Sequence, residues 1–270
     1  MKFNTVFGTL LCAEAALAAR FTQQRRDRAA KRAFQRSTLP RLPADGTASQ
    51  SLEAGNDTAH VEYSSNWAGA VLIGTGYTSV TGTIVVPTPE TPSGGSSRTE
   101  YAASAWVGID GDTCQTAIVQ TGVDFYVEGS EVAFDAWYEW YPDYAYDFSG
   151  ITISAGDTVT MTVTATSKSA GTAVIENQTT GTTVTHSFSG ETDTLCETNA
   201  EWIVEDFSSG GSLVPFADFG TVTFTDASAT TSSGTVGVSG ATIIDIEQSN
   251  EVLTDCSTSG DSEVTCTYTG

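Results

Sequence analysis

Three stretches of the chain gather the side chains that could do chemistry: SAWVGIDGDTCQTAIVQTGVDF at 104–125, FDAWYEWYPDYAYDF at 134–148 and CETNAEWIVEDF at 196–207. Each mixes acids with aromatic residues, and each alternates as a strand does. With a period of two, Gln120 shares a face with Ile118, Gly122 and Asp124, and Trp106 is in phase with Asp110. Asp135, Trp137, Glu139 and Tyr141 share a second face, and Glu201, Ile203, Glu205 and Phe207 a third. If these faces line the concave side of a bent sheet, they form a groove with aromatic walls and a few acids. Pattern alone assigns such tryptophans to a core as readily as to a site.

Elimination narrows what that groove could do. The chain has two histidines, His60 and His186. A Ser-His-Asp triad needs one of them, yet His60 falls at the expected processing boundary and His186 sits in a Thr-rich run that reads as an ordinary strand. No His-Glu-x-x-His zinc pattern occurs, and the cysteines of the acidic body are better used in bridges than on a metal. The paired Asp-Thr-Gly or Asp-Ser-Gly signatures of aspartic peptidases are missing; Asp112, Thr113 and Cys114 come near, once. Asp110 and Asp112 lack the spacing of a recognised calcium loop. Carboxylate and amide chemistry remains, and neither a metal nor a cofactor is expected.

The elements that must position these groups are short. Beyond Tyr63 the chain consists of alternating runs separated by Gly, Ser, Asp and Pro clusters, with little helical periodicity. Thr158 to Thr166 is the cleanest run, with Val159, Met161, Val163 and Ala165 on one face and Thr on the other. Further strands are expected at 66–73, 79–86, 101–109, 116–125, 134–141, 172–177, 182–188, 199–207, 213–225 and 241–247. Many short strands with few helices predict an all-β chain folded as an antiparallel β-sandwich, one domain over residues 60–270.

The two ends differ in charge. Of 11 Lys and Arg, nine lie at or before Arg41, giving residues 1–59 a formal charge of +4 and residues 60–270 a charge of −26. A body so acidic repels phosphate backbones and anionic lipid, so neither nucleic acid nor a membrane surface is an expected partner. With almost no Lys or Arg it also avoids the positive self-repulsion that unfolds ordinary proteins in acid. Lys2, the apolar run Thr5 to Ala19 and the small residues Ala16, Ala18 and Ala19 read as a signal peptide over 1–19, hence an exported protein. Residues 20–59, with Arg25, Arg26, Arg28, Lys31, Arg32 and Arg36, read as a basic propeptide whose segment 22–36 could be helical. At neutral pH it is expected to dock on the acidic body, as an inhibitor released when carboxylates protonate. Four cysteines remain in the body, which suggests two disulfides in one of three connectivities. Cys256 and Cys266 read as the clip of a terminal hairpin, which leaves Cys114 with Cys196. Asn177 begins a glycosylation sequon, and nothing in the sequence demands more than a monomer.

In "SNWAGAVL" near the start of the body, in "AWVGIDGDTCQTAIVQTGVDF", "DAWYEWYP" and "NAEWIVEDF", and in the terminal cysteine pair, the chain resembles the glutamic peptidases, or eqolisins, of fungi. The match extends over most of 64–270. It implies a sandwich of concanavalin-like, jelly-roll type with a bent concave sheet, an acid-active endopeptidase that cleaves polypeptides without a metal, and synthesis as a preproprotein. It also implies a catalytic pair, the Gln before Thr-Gly and the Glu before Asp-Phe, which are Gln120 and Glu205 here. Family active-site neighbours match Trp106, Asp110, Trp137 and Glu139; Gln115 and Glu201 are near-misses. The resemblance leads us to read Trp106 and Trp137 as flanking the pair, and Asp110 and Glu139 as supports for Gln120 or the substrate. The rival reading of the same groove is a glycoside hydrolase, with Glu139 and Glu205 as paired carboxylates, or a lectin-like sugar-binding module.

Overall fold

The computed structural model describes residues 36–44 and 61–270. The signal peptide expected at 1–19, all but the last residue of the basic helix expected at 22–36, and His60 lie outside the described residues. Among the described residues every regular element is a strand, and no helix is long and apolar enough to cross a membrane.

Two large sheets face each other. The front sheet has nine strands, in the order Glu251–Val252, Thr242–Gln248, Trp67–Ile73, Asn199–Glu205, Tyr101–Ile109, Ile118–Glu128, Glu131–Tyr141 and Tyr146–Asp147, with Val61–Ser64 added beside Thr242–Gln248. Apart from that parallel edge, its pairings are antiparallel. The back sheet has eight strands, ordered Thr182–Ser189, Ala170–Asn177, Thr158–Ser167, Tyr77–Val85, Thr221–Thr231, Glu263–Tyr268 and Thr254–Ser259, with Gly234–Val236 beside Thr221–Thr231. A third, small sheet joins Arg36–Ser37 to Ser208–Ser209 and Ser212–Leu213.

The core lies between the large sheets. From the back sheet come Ile84, Val159, Met161, Val163 and Phe224; from the front come Val107, Val123, Phe125, Trp202 and Val204. The Trp202 indole N–H donates to the Thr81 carbonyl at 2.7 Å, so this large core side chain is satisfied as well as buried. Gly82 makes its room: a Cβ there would stand 2.9 Å from Trp202 Cδ1.

Strand alternation was a sound guide to these elements, since Thr158–Ser167, Ala170–Asn177 and Tyr101–Ile109 fall within two residues of the expected runs. The run expected at 213–225 is a correction. Ser212–Leu213 belongs to the small sheet, and Thr221–Thr231 begins a separate strand after the intervening aromatic turn with Phe216 and Phe219. Cys114 is joined to Cys196 and Cys256 to Cys266. The first bridge spans 82 residues and on a loop-entropy basis stabilises by about 4 to 5 kcal/mol. The Asn177 sequon is also corrected: its side chain is wholly buried, and its amide donates to Asp157 at 2.8 Å and to the Thr152 carbonyl at 3.1 Å, so a glycan has no room there.

Candidate active site

The concave side of the front sheet carries the groove. Across its strands the register sets out rows of side chains: Glu139, Gln120, Gly108 and Glu201 in one; Trp137, Gly122, Trp106 and Ile203 in the next; Asp135, Asp124, Ser104 and Glu205 in a third. Glycine at 122 lets the middle row close, because a Cβ there would lie 2.5 Å from Trp106 Cβ and 2.8 Å from Trp137 Cζ2. Trp67, Trp106, Trp137, Ile118, Ile203 and Ile244 form an apolar cluster of their own, separate from the core between the sheets. Trp67 meets Trp106 edge to face at 5.0 Å.

A segment of the chain itself fills this groove. Residues 36–44 run over the concave face, fixed at one end by pairing of Arg36 and Ser37 with Ser209 and Ser208, and at the other by a bridge between Pro43 and Ser64. Arg36 is 2% exposed. Its guanidinium forks onto Asp124 at 2.7 and 2.8 Å, reaches Glu139 at 3.3 Å and Ser104 at 3.2 Å, and lies 3.7 Å above the Trp137 ring. Fork-to-carboxylate geometry and a cation over an indole are both interactions that Arg makes and Lys does not match. Burial alone would lower the Arg36 pKa, but the Asp124 and Glu139 charges outweigh it and leave the guanidinium more basic than usual.

Main-chain groups of the same segment meet the acids. The Thr38 N–H donates to Glu139 Oε2 at 3.1 Å, and the next N–H, of Leu39, donates to Glu205 Oε1 at 3.2 Å. Trp106 Nε1–H donates to the other Glu205 oxygen at 2.9 Å. The Leu39 carbonyl accepts from Trp67 Nε1 at 3.0 Å, and Asn66 takes the Leu42 N–H at 2.8 Å. Farther along, Arg41 pairs with Asp112 at 3.0 Å and with Glu62 at 2.6 Å.

The acids beneath this cover are held toward their neutral forms. Burial pushes the Glu139 carboxyl up to about 7, against the opposing pull of Arg36 and of the Thr38 and Ser37 donors. Glu205 rises well above the ordinary carboxylate range, again through burial; Glu139 adds to the rise, while Arg36, Leu39 and Trp106 oppose it. Gln120 is fully buried with neither amide atom hydrogen-bonded.

The structure thus brings Gln120, Glu139, Trp106, Trp137 and Glu205 onto one surface. Asp110, expected to support Gln120 or the substrate, makes its hydrogen bonds elsewhere. Its carboxylate accepts the N–H groups of Cys196, Glu197, Thr198 and Asn199 at 2.7 to 3.2 Å, which ties down the loop carrying the Cys196 disulfide. Asp110 also lies beside Cys114 and Cys196, but those sulfurs are joined to each other and offer no thiolate to a metal. Sequence reasoning missed Arg36 and Ser104 as parts of the groove and gave Asp124 no role. The phase of Asp124 with Gln120 was legible, whereas its pairing with a residue 88 positions away was not.

Comparison with known proteins identifies this architecture. Residues 65–268 match the model of the peptidase A4 family. The chain is similar to Aspergillopepsin-2 of Aspergillus niger, 58% identical over 99% of this chain and 100% of the relative. It is similar to Scytalidopepsin B of Scytalidium lignicola, 47% identical over 99% of this chain and 100% of the relative. Among solved structures, scytalido-glutamic peptidase with a transition state analog inhibitor superimposes with a TM-score of 0.70 at 49% identity, over 76% of this chain and 98% of that one. The carbohydrate-active reading of the groove is thereby displaced: the chain belongs to the peptidase A4 family and is a glutamic endopeptidase.

Proposed function

We propose that this chain is the precursor of a secreted, acid-active endopeptidase in which Gln120 and Glu205 activate water for peptide hydrolysis, and that its basic propeptide, residues 20–59, is its own inhibitor. The observation that carries this reading is the polypeptide lying in the groove, with successive amide N–H groups of Thr38 and Leu39 on Glu139 and Glu205. A groove that takes a main chain in this way is shaped for polypeptide, and its acid reaches an amide nitrogen. The apolar leader and the two disulfides support export. No group in the groove needs a second chain.

In the open groove, ionised Glu205 accepts a proton from water as the water attacks the carbonyl, then returns it to the leaving nitrogen, the atom type that Leu39 presents in the closed form. General acid-base help of this kind contributes roughly 10²- to 10⁴-fold. Gln120 donates an amide N–H to the developing oxyanion while its carbonyl oxygen holds the water; one such donor is worth on the order of 10²- to 10³-fold. Gln suits the task because it does not titrate in acid. Trp106 keeps Glu205 oriented and favours its ionised form through the indole N–H.

The pH dependence follows from the neighbouring acid. The chief cause of the Glu205 rise is burial, with Arg36 and the Leu39 N–H opposing it; departure of residues 36–44 removes those two but admits water to the carboxyl, and hydration lowers the pKa. Glu139 is raised to about 7 in the covered groove, where burial outweighs Arg36, Thr38 and Ser37; while it stays neutral in acid it does not repel an ionised Glu205. Activity therefore falls as pH drops through the Glu205 pKa and falls again as Glu139 ionises. Protonation of Glu139 also removes one of the two anions that hold Arg36, which favours release of the segment in acid.

The test is cleavage of an unstructured protein substrate from pH 2 to 7 by the acid-treated precursor, comparing wild type with Glu205→Gln and Gln120→Ala. Loss of activity in both variants, with circular dichroism unchanged, is the expected result. Activity indifferent to either substitution, or a flat pH profile, overturns it.

A further inference from the structure

Among the described residues six buried side-chain polar atoms lack a hydrogen-bond partner, and four belong to two residues, Gln120 and Glu201. Folded proteins pair nearly all such atoms, so a cluster of exceptions marks a place where something other than stability sets the side chains. The two residues are not scattered. Glu201 stands opposite Gly108 in one pairing and Gly108 stands opposite Gln120 in the next, so the carboxyl and the amide flank one glycine on the concave face. A Cβ at Gly108 would lie 3.2 Å from Glu201 Oε1, 3.3 Å from Gln120 Cβ and 2.8 Å from Trp106 Cζ3. Any larger residue would wall off the carboxyl from the glutamine.

We propose that Glu201 is a positioning residue for Gln120, a neutral carboxyl whose O–H fixes the amide with its oxygen toward Glu201 and its N–H toward the substrate, through a water seated over Gly108. The proposal rests on the Gln120 and Glu205 reading and adds a third member to it.

The chemistry is one of complementary ends. The two ends of a glutamine amide have the same shape, so packing cannot decide which faces the oxyanion; only a hydrogen-bond partner can. A neutral acid that donates its O–H to the water leaves that water two hydrogens to offer the amide oxygen. An ionised acid takes one of those hydrogens and leaves the water two lone pairs, which favours the NH₂ turning toward it and away from the substrate. The surroundings keep Glu201 neutral: burial first, then the negative charges of Asp110 and Asp112, hold it well above the ordinary carboxylate range. The Tyr77 phenol also feels its charge, and of the cations of the covering segment Arg41 is engaged with Asp112 and Glu62 and Arg36 with Asp124 and Glu139. Val71 is the residue opposite Glu201 on its other flank and brings no charge.

The test uses the acid-activated protein and measures kcat and KM separately from pH 2 to 7 for Glu201→Gln and Glu201→Leu. Glu201→Gln retains a donor and cannot ionise, so its kcat and KM in acid stay near wild type, and its alkaline limb stays in place because Glu139 sets it. Glu201→Leu has no donor, and its kcat falls about tenfold with KM unchanged, in line with a misdirected oxyanion donor. A Glu201→Leu kcat within twofold of wild type, or a Glu201→Gln variant as impaired as Glu201→Leu, overturns the proposal. If Glu201→Leu does not fold, Glu201→Met serves as the variant without a donor, and a kcat within twofold of wild type there overturns the proposal. Failure of the underlying pair is separately visible, because Gln120→Ala and Glu205→Gln would then remain active whatever Glu201 does.

Discussion

The two large sheets are built from similar strands but treat their outer faces differently. In the back sheet residues 158–165 alternate between half-buried and buried, and residues 182–187 between half-buried and exposed. Its outward threonines bond one another across strands, as Thr81 does with Thr162 and Thr83 with Thr160. In the front sheet Asn199–Glu205 is buried throughout, as are ten of the eleven residues of Ile118–Glu128. One face of Asn199–Glu205 gives Ala200, Trp202 and Val204 to the core, and the other gives Glu201, Ile203 and Glu205 to the groove. Burial of apolar groups holds a sandwich together, while burial of unpaired acids opposes it. The front sheet therefore carries a stability cost on its concave face that the back sheet does not.

That contrast can be broken by substitution. The largest effect is expected at Glu205→Gln, with kcat/KM falling at least about 10³-fold while the melting temperature holds or rises, since a buried acid is replaced by a neutral isostere. Three positions away on the opposite face, Trp202→Ala is expected to cost about 3 to 5 kcal/mol in urea unfolding, with the folded fraction keeping its turnover. If Trp202→Ala impaired catalysis in the folded fraction instead, the two faces would not be separable.

Arg36→Ala leaves Asp124 buried without its cation, a change that typically costs about 3 to 5 kcal/mol in a closed structure. It should open the groove, seen as activity of the unprocessed chain at a pH where wild type is silent. The acids outside the groove sharpen the comparison in a pH titration. Burial pushes Asp206 up to about 7 and Asp245 up to about 6. Folded pKa values above the unfolded ones mean stability is fully present below about pH 4 and is lost as pH rises through 6 to 7. Thermal melts should therefore decline from pH 4 to 7, by on the order of a few kcal/mol, and Asp206→Asn with Asp245→Asn should flatten the decline. The smallest effect is expected for Thr162→Ala on the back sheet, within about 0.5 kcal/mol and without change in activity.

Much of this was legible in the sequence, and for a physical reason. Period-two alternation follows from strand geometry alone, so it placed Gln120, Asp124, Trp137, Glu139 and Glu205 on common faces. Cysteine spacing gave both bridges. The failures came where a side chain is committed to a partner far along the chain. The partners of Asp110 were not legible, since a left-handed backbone (φ 71°) turns it onto the loop at 196–199. Asn177 read as a surface sequon, but Asp157 holds it inside. Arg36 was visible only as one charge among many, because net charge says that a segment is attracted and not which residue enters which pocket.

The covering segment is joined to the body through 16 residues between Ala44 and Val61. While that connection is intact, closure is intramolecular, and its effective concentration, about millimolar for a short tether, does not depend on how dilute the protein is. One cut in the connection makes closure bimolecular, so that dilution alone then empties the groove. Commitment to activity would thus be set by the breaking of a single covalent link and made irreversible by the volume into which the protein is released.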